Sequence, residues 1–110
     1  MNINKYIHTL MKQLREPSDT TNLSEVREKL AYARAYRQGE EALKRYRDRA
    51  IEREIGKTHS EGPQIAILFN KDKHPDEYDA YQTLRTECKA RVDAKMEKLK
   101  TDLEASLSGS

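Results

Sequence analysis

The fold is decided by residues 22–56, which read NLSEVREKLAYARAYRQGEEALKRYRDRAIEREIG. The side chain of Asn22 can accept a hydrogen bond from the free amides of a first helical turn, and Glu25 follows three residues later, as in a capping box. No proline occurs between Asn22 and Ile55, and apolar residues recur at spacings of three or four positions with one gap of seven: Val26, Leu30, Ala33, Tyr36, Leu43, Tyr46 and Ala50. This pattern predicts one amphipathic helix over 22–56.

Gly39 lies on the apolar stripe of that predicted helix. When Tyr32 and Gly39 are counted, the steps between positions 32 and 50 alternate between four and three residues, which is a heptad-like seam. Because glycine costs about 1 kcal/mol relative to alanine inside a helix, its presence calls for a reason. Either another backbone approaches closely here or the helix accepts a kink, and the sequence leaves both explanations open.

Two further helices flank this segment. Residues 3–16 have apolar side chains at helical spacing, which predicts a helix that ends before Pro17. Pro75 begins another predicted helix, which runs to about residue 107. The apolar stripe of the last helix is Tyr81, Leu84, Cys88, Val92, Met96, Leu99, Leu103 and Leu107. The two long helices match in length. We therefore predict an all-α fold, a single domain over 1–110, built as a long antiparallel, coiled-coil-like hairpin with a short N-terminal helix.

The connector at 57–74 holds the densest apolar run in the chain, Ile65 to Phe69. Such a run is expected to be buried. A lone strand would leave its backbone groups unpaired, so we favour a short helix, opened by Pro63 and packed across the hairpin. A strand that pairs with another chain is the alternative.

Composition sets limits on the class of protein. The chain has 110 residues, with 21 basic and 19 acidic side chains for a net charge of +2. Its apolar residues are too few for a thick core, which predicts a homo-oligomer or a tightly bound partner. No apolar run approaches the roughly 20 residues of a membrane helix, so no membrane association is expected. The single Cys88 fits a small buried side chain in a reducing compartment, and we predict a cytoplasmic protein.

The sequence predicts neither an enzyme nor a metal or cofactor site. Cys88 falls in the middle of a helix on its apolar stripe, and the serines cluster in turns and in the tail, so no nucleophile stands beside a base. His59 and His74 lack the i, i+4 spacing of a helical two-histidine zinc site.

The strongest indication of function in the sequence is the alternation of tyrosines and arginines between positions 32 and 49. Both residue types are enriched in protein interfaces, because they combine contact area with polar groups. The predicted partner-binding residues are Tyr32, Arg34, Tyr36, Arg37, Arg45, Tyr46 and Arg49. They predict a small protein-binding adaptor, inhibitor or assembly factor whose partner is unidentified, and its size also suits an accessory protein of a phage or plasmid.

The alternative is nucleic-acid binding by the basic stretch 27–53. This stretch carries nine basic and five acidic residues, and its arginines could lie along a phosphate backbone with the tyrosines stacking on bases. The interspersed acids would repel phosphates. The sequence pI of about 8.6 is also below the value of roughly 9 that is typical of nucleic-acid-binding domains.

A third hypothesis comes from the tripeptide His74-Pro75-Asp76. It resembles the tripeptide of J-domain co-chaperones, and the resemblance implies stimulation of a chaperone ATPase through these residues. The same residues also have the character of a helix start, since proline suits the first helical position and acids suit the positive end of the helix dipole.

Overall fold

The computed structural model describes residues 2–59 and 61–108. Within these residues every regular element is a helix, which confirms the all-α prediction. The helices are α1 (Ile3–Arg15), α2 (Leu23–Gln38), α3 (Glu40–Gly56), α4 (Glu61–Phe69) and α5 (Pro75–Ser108).

Local signals set the starts of the first two helices. Asn2 Oδ1 accepts a hydrogen bond from the Lys5 amide at 2.8 Å, and Asn22 Oδ1 accepts one from the Glu25 amide at 3.1 Å. Each bond satisfies one of the free amides of a first turn. The predicted capping role of Asn22 is therefore confirmed.

Gly39 interrupts the segment that was predicted to be one helix over 22–56, and the structure corrects that prediction. The residue has φ 114° and ψ −172°, a conformation open almost only to glycine. In one straight helix the fourteen residue steps from Tyr32 to Tyr46 would cover about 21 Å. Their ring centroids instead lie 5.8 Å apart. Helix α2 and the first turns of α3 thus fold back on each other at Gly39.

Close packing does not explain this glycine. Apart from Gly39 and its two chain neighbours, no atom lies within 4 Å of the place where a Cβ would stand at Gly39. The backbone hydrogen bonds continue on both sides, from the Gly39 amide to Ala35 and from the Leu43 amide to Gly39, each at 3.1 Å. Of the two explanations for Gly39, the change in helix direction is the one that the structure supports.

The connector contains helix α4, which confirms the favoured helix over the alternative strand. The helix begins at Glu61, two residues before Pro63. Proline is tolerated there because amides of the first turn have no partner within the helix. After Phe69 the chain turns, with the amides of Lys73 and His74 donating to the Asn70 carbonyl at 3.0 and 2.9 Å. Helix α5 then begins at Pro75, as predicted.

The chain divides into two compact units. Unit 1 comprises Met1–Tyr46 and Lys95–Ser110. Helices α1 and α2 pack against each other in this unit. Its core consists of Tyr6, Ile7, Leu10, Val26, Leu30, Tyr32, Ala33, Leu99 and Leu103. Apolar side chains from α1, α2 and the last turns of α5 therefore share one core.

Unit 2 comprises Arg47–Ala94. Its buried apolar residues are Ile51, Ile55, Ile67, Tyr81, Cys88 and Val92. Cys88 is fully buried, which confirms its expected role as a small core residue. The Tyr81 hydroxyl donates to Gln64 Oε1 at 2.7 Å, and Gln64 Nε2 donates to the His59 carbonyl at 2.7 Å. These bonds tie α4 to α5 and to the segment before α4.

Candidate functional site

The predicted partner-binding tyrosines lie together in unit 1. Tyr32 is 3% exposed, while Tyr36 and Tyr46 are partly buried against the same core. The Tyr32 ring lies 6.3 Å from that of Tyr36 and meets the Tyr46 ring edge-on. Such aromatic pairs contribute about 0.5–1.5 kcal/mol beyond the burial of their area. Tyr32 thus has almost no surface to offer a partner, and its observed contacts stabilise the unit.

Burial also changes the acidity of two tyrosines. Desolvation raises the pKa of Tyr32 above its ordinary value of 10.0, and the neighbouring Tyr36 and the carboxylates of Glu104 and Glu97 act in the same direction. Desolvation likewise raises the pKa of Tyr6; Asp102 adds to this effect, and Lys29 opposes it. Both phenols are held in the neutral form because the folded protein solvates a phenolate poorly.

We expect this burial to make the protein unstable in alkali. A folded-state pKa above the unfolded value means that the stabilisation is fully present below about pH 10 and is lost as pH rises through the folded-state pKa. The free energy of unfolding, measured with urea between about pH 8 and pH 11, should therefore fall most steeply above about pH 10. Tyr6→Phe and Tyr32→Phe together should make that fall shallower. The same steepness in the double variant would contradict the assignment.

The predicted arginines are exposed, in contrast to the tyrosines. Arg34 and Arg37 lie one turn apart on α2, and Arg45 lies on α3, all within unit 1. Arg49 belongs to unit 2 and is also exposed. Arg37 Nη1 donates to Asn4 Oδ1 at 3.1 Å, which links the end of α2 to the start of α1. The arginines are therefore the members of the predicted set that can meet a partner.

Acidic side chains on α2 are engaged in ion pairs. Glu25 pairs with Lys29 at 3.2 Å, and Glu28 pairs with Lys95 of α5. In unit 2, the Arg47 guanidinium binds both carboxylate oxygens of Asp93 at 2.7 and 3.2 Å and lowers the pKa of Asp93. These pairs are largely exposed, and such pairs contribute at most about 1 kcal/mol each to stability.

Sequence reasoning missed the exposed face of α4. The apolar run from Ile65 to Phe69 was predicted to be buried. Of its large apolar side chains only Ile67, which is 7% exposed, is buried. Ile65 and Leu68 are 46% and 45% exposed, and Phe69 is 84% exposed. The i, i+3, i+4 spacing of these three residues places them on one side of a helix, which is a signal that the sequence contained. We call them the apolar face of α4.

Three other features were considered from the sequence: a metal site, a membrane-spanning helix and the His74-Pro75-Asp76 tripeptide. Residues 2–59 and 61–108 hold no cluster of three or more possible metal ligands. In the same residues no helix is long and apolar enough to span a membrane. Pro75 is the first residue of α5 and Asp76 lies in its first turn, so both act in the helix start. A co-chaperone role for this tripeptide stays a prediction.

Comparisons with known proteins add no relative. No family model matches the chain, and no curated protein or solved structure matches it either.

Proposed function

We propose that the chain is a helical adaptor, inhibitor or assembly factor that binds a protein partner. The observation that carries this proposal is the apolar face of α4. A large exposed apolar side chain such as Phe69 costs solvation free energy in the free protein and can anchor a complex when it enters a pocket. The mean hydropathy of the chain is −1.03, so apolar side chains are scarce in it, and three of them stand exposed together.

The occupant that we propose is an apolar groove of a different protein, with an acidic rim. Lys71 and Lys73 are exposed just after Phe69 and would meet such a rim, although Asp72 lies between them. Three side chains bury only a few hundred Å², whereas stable interfaces bury about 800 Å² on each partner. The apolar face of α4 alone is therefore too small for a stable interface, and the contact must extend over more of both proteins.

The experiment compares capture by Phe69→Ser and by wild type from lysate of the native host. Because Phe69 is 84% exposed, the variant should keep its stability within about 0.5 kcal/mol. After nuclease treatment, we expect the variant to recover at least about tenfold less of a specific partner than the wild type does. A tenfold loss corresponds to about 1.4 kcal/mol of binding free energy, which is the size expected for a hot-spot residue. Mass spectrometry with isotope labelling measures the ratio.

Met11→Ser is the matched control, since Met11 is an exposed apolar residue of unit 1 at 38%. It should leave capture unchanged. Equal recovery of every protein by wild type and Phe69→Ser would refute the proposal. Light scattering over a concentration series tests self-association, and a dimer that Phe69→Ser converts to monomer would make a second copy the occupant.

We propose that α3 and α5 pair antiparallel, like a coiled coil, in unit 2. The ion pairs Arg47–Asp93 and Glu54–Arg91 support this direction, since the α5 position decreases as the α3 position increases. The exposed Arg45 and Arg49 would contact the partner, while the tyrosines hold the scaffold. A buried free cysteine is compatible with a cytoplasmic protein, which we also propose.

A further inference from the structure

Helix α1 carries its charge on one side. Its exposed ionisable residues recur every three or four positions and therefore share one face: Lys5, His8, Lys12 and Arg15. The opposite face of α1 packs into the core of unit 1. None of the 13 residues of α1 is acidic. The exposed side of this helix is thus uniformly basic or neutral.

Helix α2 adds a second basic row. Arg27 and Arg34 lie seven residues apart, Arg37 follows one turn later, and all three are exposed. The hydrogen bond from Arg37 to Asn4 brings the two rows together, because Asn4 is the neighbour of Lys5. We call the six residues Lys5, Lys12, Arg15, Arg27, Arg34 and Arg37 the cationic face.

The cations of this face are not engaged in ion pairs in the part of the chain that the structure describes. The acids of α2 pair with Lys29 and Lys95 instead. The charges also divide unequally between the units. Unit 1 has twelve basic and nine acidic side chains, whereas unit 2 has nine and ten. The excess positive charge of the chain therefore belongs to unit 1.

We propose that the cationic face binds the phosphate backbone of double-stranded nucleic acid without reading its sequence. Lys5 to Arg15 spans about 15 Å along α1, and a duplex presents one charge per about 1.7 Å of its axis, so several phosphates come within reach. Asn4 and His8 add exposed hydrogen-bond donors beside the cations, of the kind that contact phosphate oxygens. The surface differs from the 27–53 stretch, because half of it comes from α1 and none from α3.

The test is fluorescence anisotropy of a labelled DNA duplex of about 20 base pairs, titrated with the full chain. If all six cations contact phosphates, affinity should fall about a thousandfold between roughly 50 and 200 mM salt. The variant Lys5→Gln/Lys12→Gln/Arg15→Gln should bind at least about tenfold more weakly at the lower salt. Its log–log salt slope should be smaller by about three, since each lost contact contributes about 0.9.

The matched control is Lys89→Gln/Lys98→Gln/Lys100→Gln, which removes the same charge from exposed positions of α5. Its salt slope should equal that of the wild type. Circular dichroism checks that both variants fold, and the single change Lys12→Gln, with an expected slope change of about one, replaces the triple variant if that one unfolds.

Three results would overturn the proposal. They are no binding at the lower salt, equal losses in the two triple variants, and tighter binding of labelled poly-glutamate than of the duplex at equal charge concentration, which would indicate an acidic protein ligand. Phe69→Ser should bind the duplex as the wild type does. Failure of this proposal and failure of the protein-binding proposal are therefore distinguishable.

Discussion

Replacing Tyr32 by alanine should lower the free energy of unfolding by about 3–5 kcal/mol. The ring is 3% exposed, belongs to the core of unit 1, and contacts the rings of Tyr36 and Tyr46. Its removal loses both the transfer free energy of the side chain and the packing around the resulting cavity. Urea denaturation followed by circular dichroism measures the change. A small protein is stable by only about 5–15 kcal/mol, so this loss would be severe.

The same variant separates a core role from an interface role. A residue that serves only a partner costs little stability when truncated, as we expect of the exposed Arg34, where Arg34→Ala should change unfolding by less than about 0.5 kcal/mol. Tyr32→Phe keeps the ring and should retain most of the stability. A loss below about 1 kcal/mol in Tyr32→Ala would show that the aromatic cluster is not part of the core.

Local signals in the sequence were sufficient to place most helix ends. Asn22 and Pro75 predict the starts of α2 and α5. The Asn22 side chain caps free amides and Pro75 has a fixed φ, and both effects act within one turn of the helix. Pro17 likewise ends α1, whose last residue is Arg15. The burial of Cys88 followed from the period of α5. In each case the cause lies within a few residues of its effect, and the sequence therefore predicts it.

The reversal at Gly39 could not be read from spacing. The apolar stripe of α2 continues in phase into α3, so period alone indicates one rod over 22–56. What distinguishes a reversal from a kink is the contact between Tyr32 and Tyr46, which depends on the whole of unit 1. A glycine on an apolar seam indicated that something unusual occurs there, but not what.

The candidate surfaces were predicted in part. The tyrosines and arginines were predicted to form one interface because both residue types are common in interfaces. Their helical spacing would have separated them, since the tyrosines lie on the apolar stripe and the arginines lie outside it. Tyr32 and Tyr46 lie on the seam, and seam positions become core when helices pack. The basic row of α1 was not predicted, although Lys5, Lys12 and Arg15 have helical spacing and the row could have been found from the sequence. The exposure of Phe69 could not be found in this way, since it depends on which side of α4 meets the rest of unit 2.

Replacing Gly39 by alanine should destabilise the protein by about 1–3 kcal/mol. At φ 114° and ψ −172° an alanine is strained, and no nearby atom would be displaced, so the cost arises in the backbone. Relief of this strain favours a single helix, which would draw Tyr46 away from Tyr32. Denaturation gives the free energy, and near-ultraviolet circular dichroism should show a weaker tyrosine signal.

Gly56→Ala is the matched control for this prediction. Gly56 is the last residue of α3, has no positive φ, and also has no atom within 4 Å of an added Cβ. Alanine there should stabilise the protein by about 0.4–1 kcal/mol, because it restricts the unfolded chain without straining the folded one. The two substitutions add the same methyl group and should have opposite signs. If Gly39→Ala were also stabilising, residues 22–56 would form the continuous helix that their spacing predicts, and the aromatic cluster would have to be held together in another way.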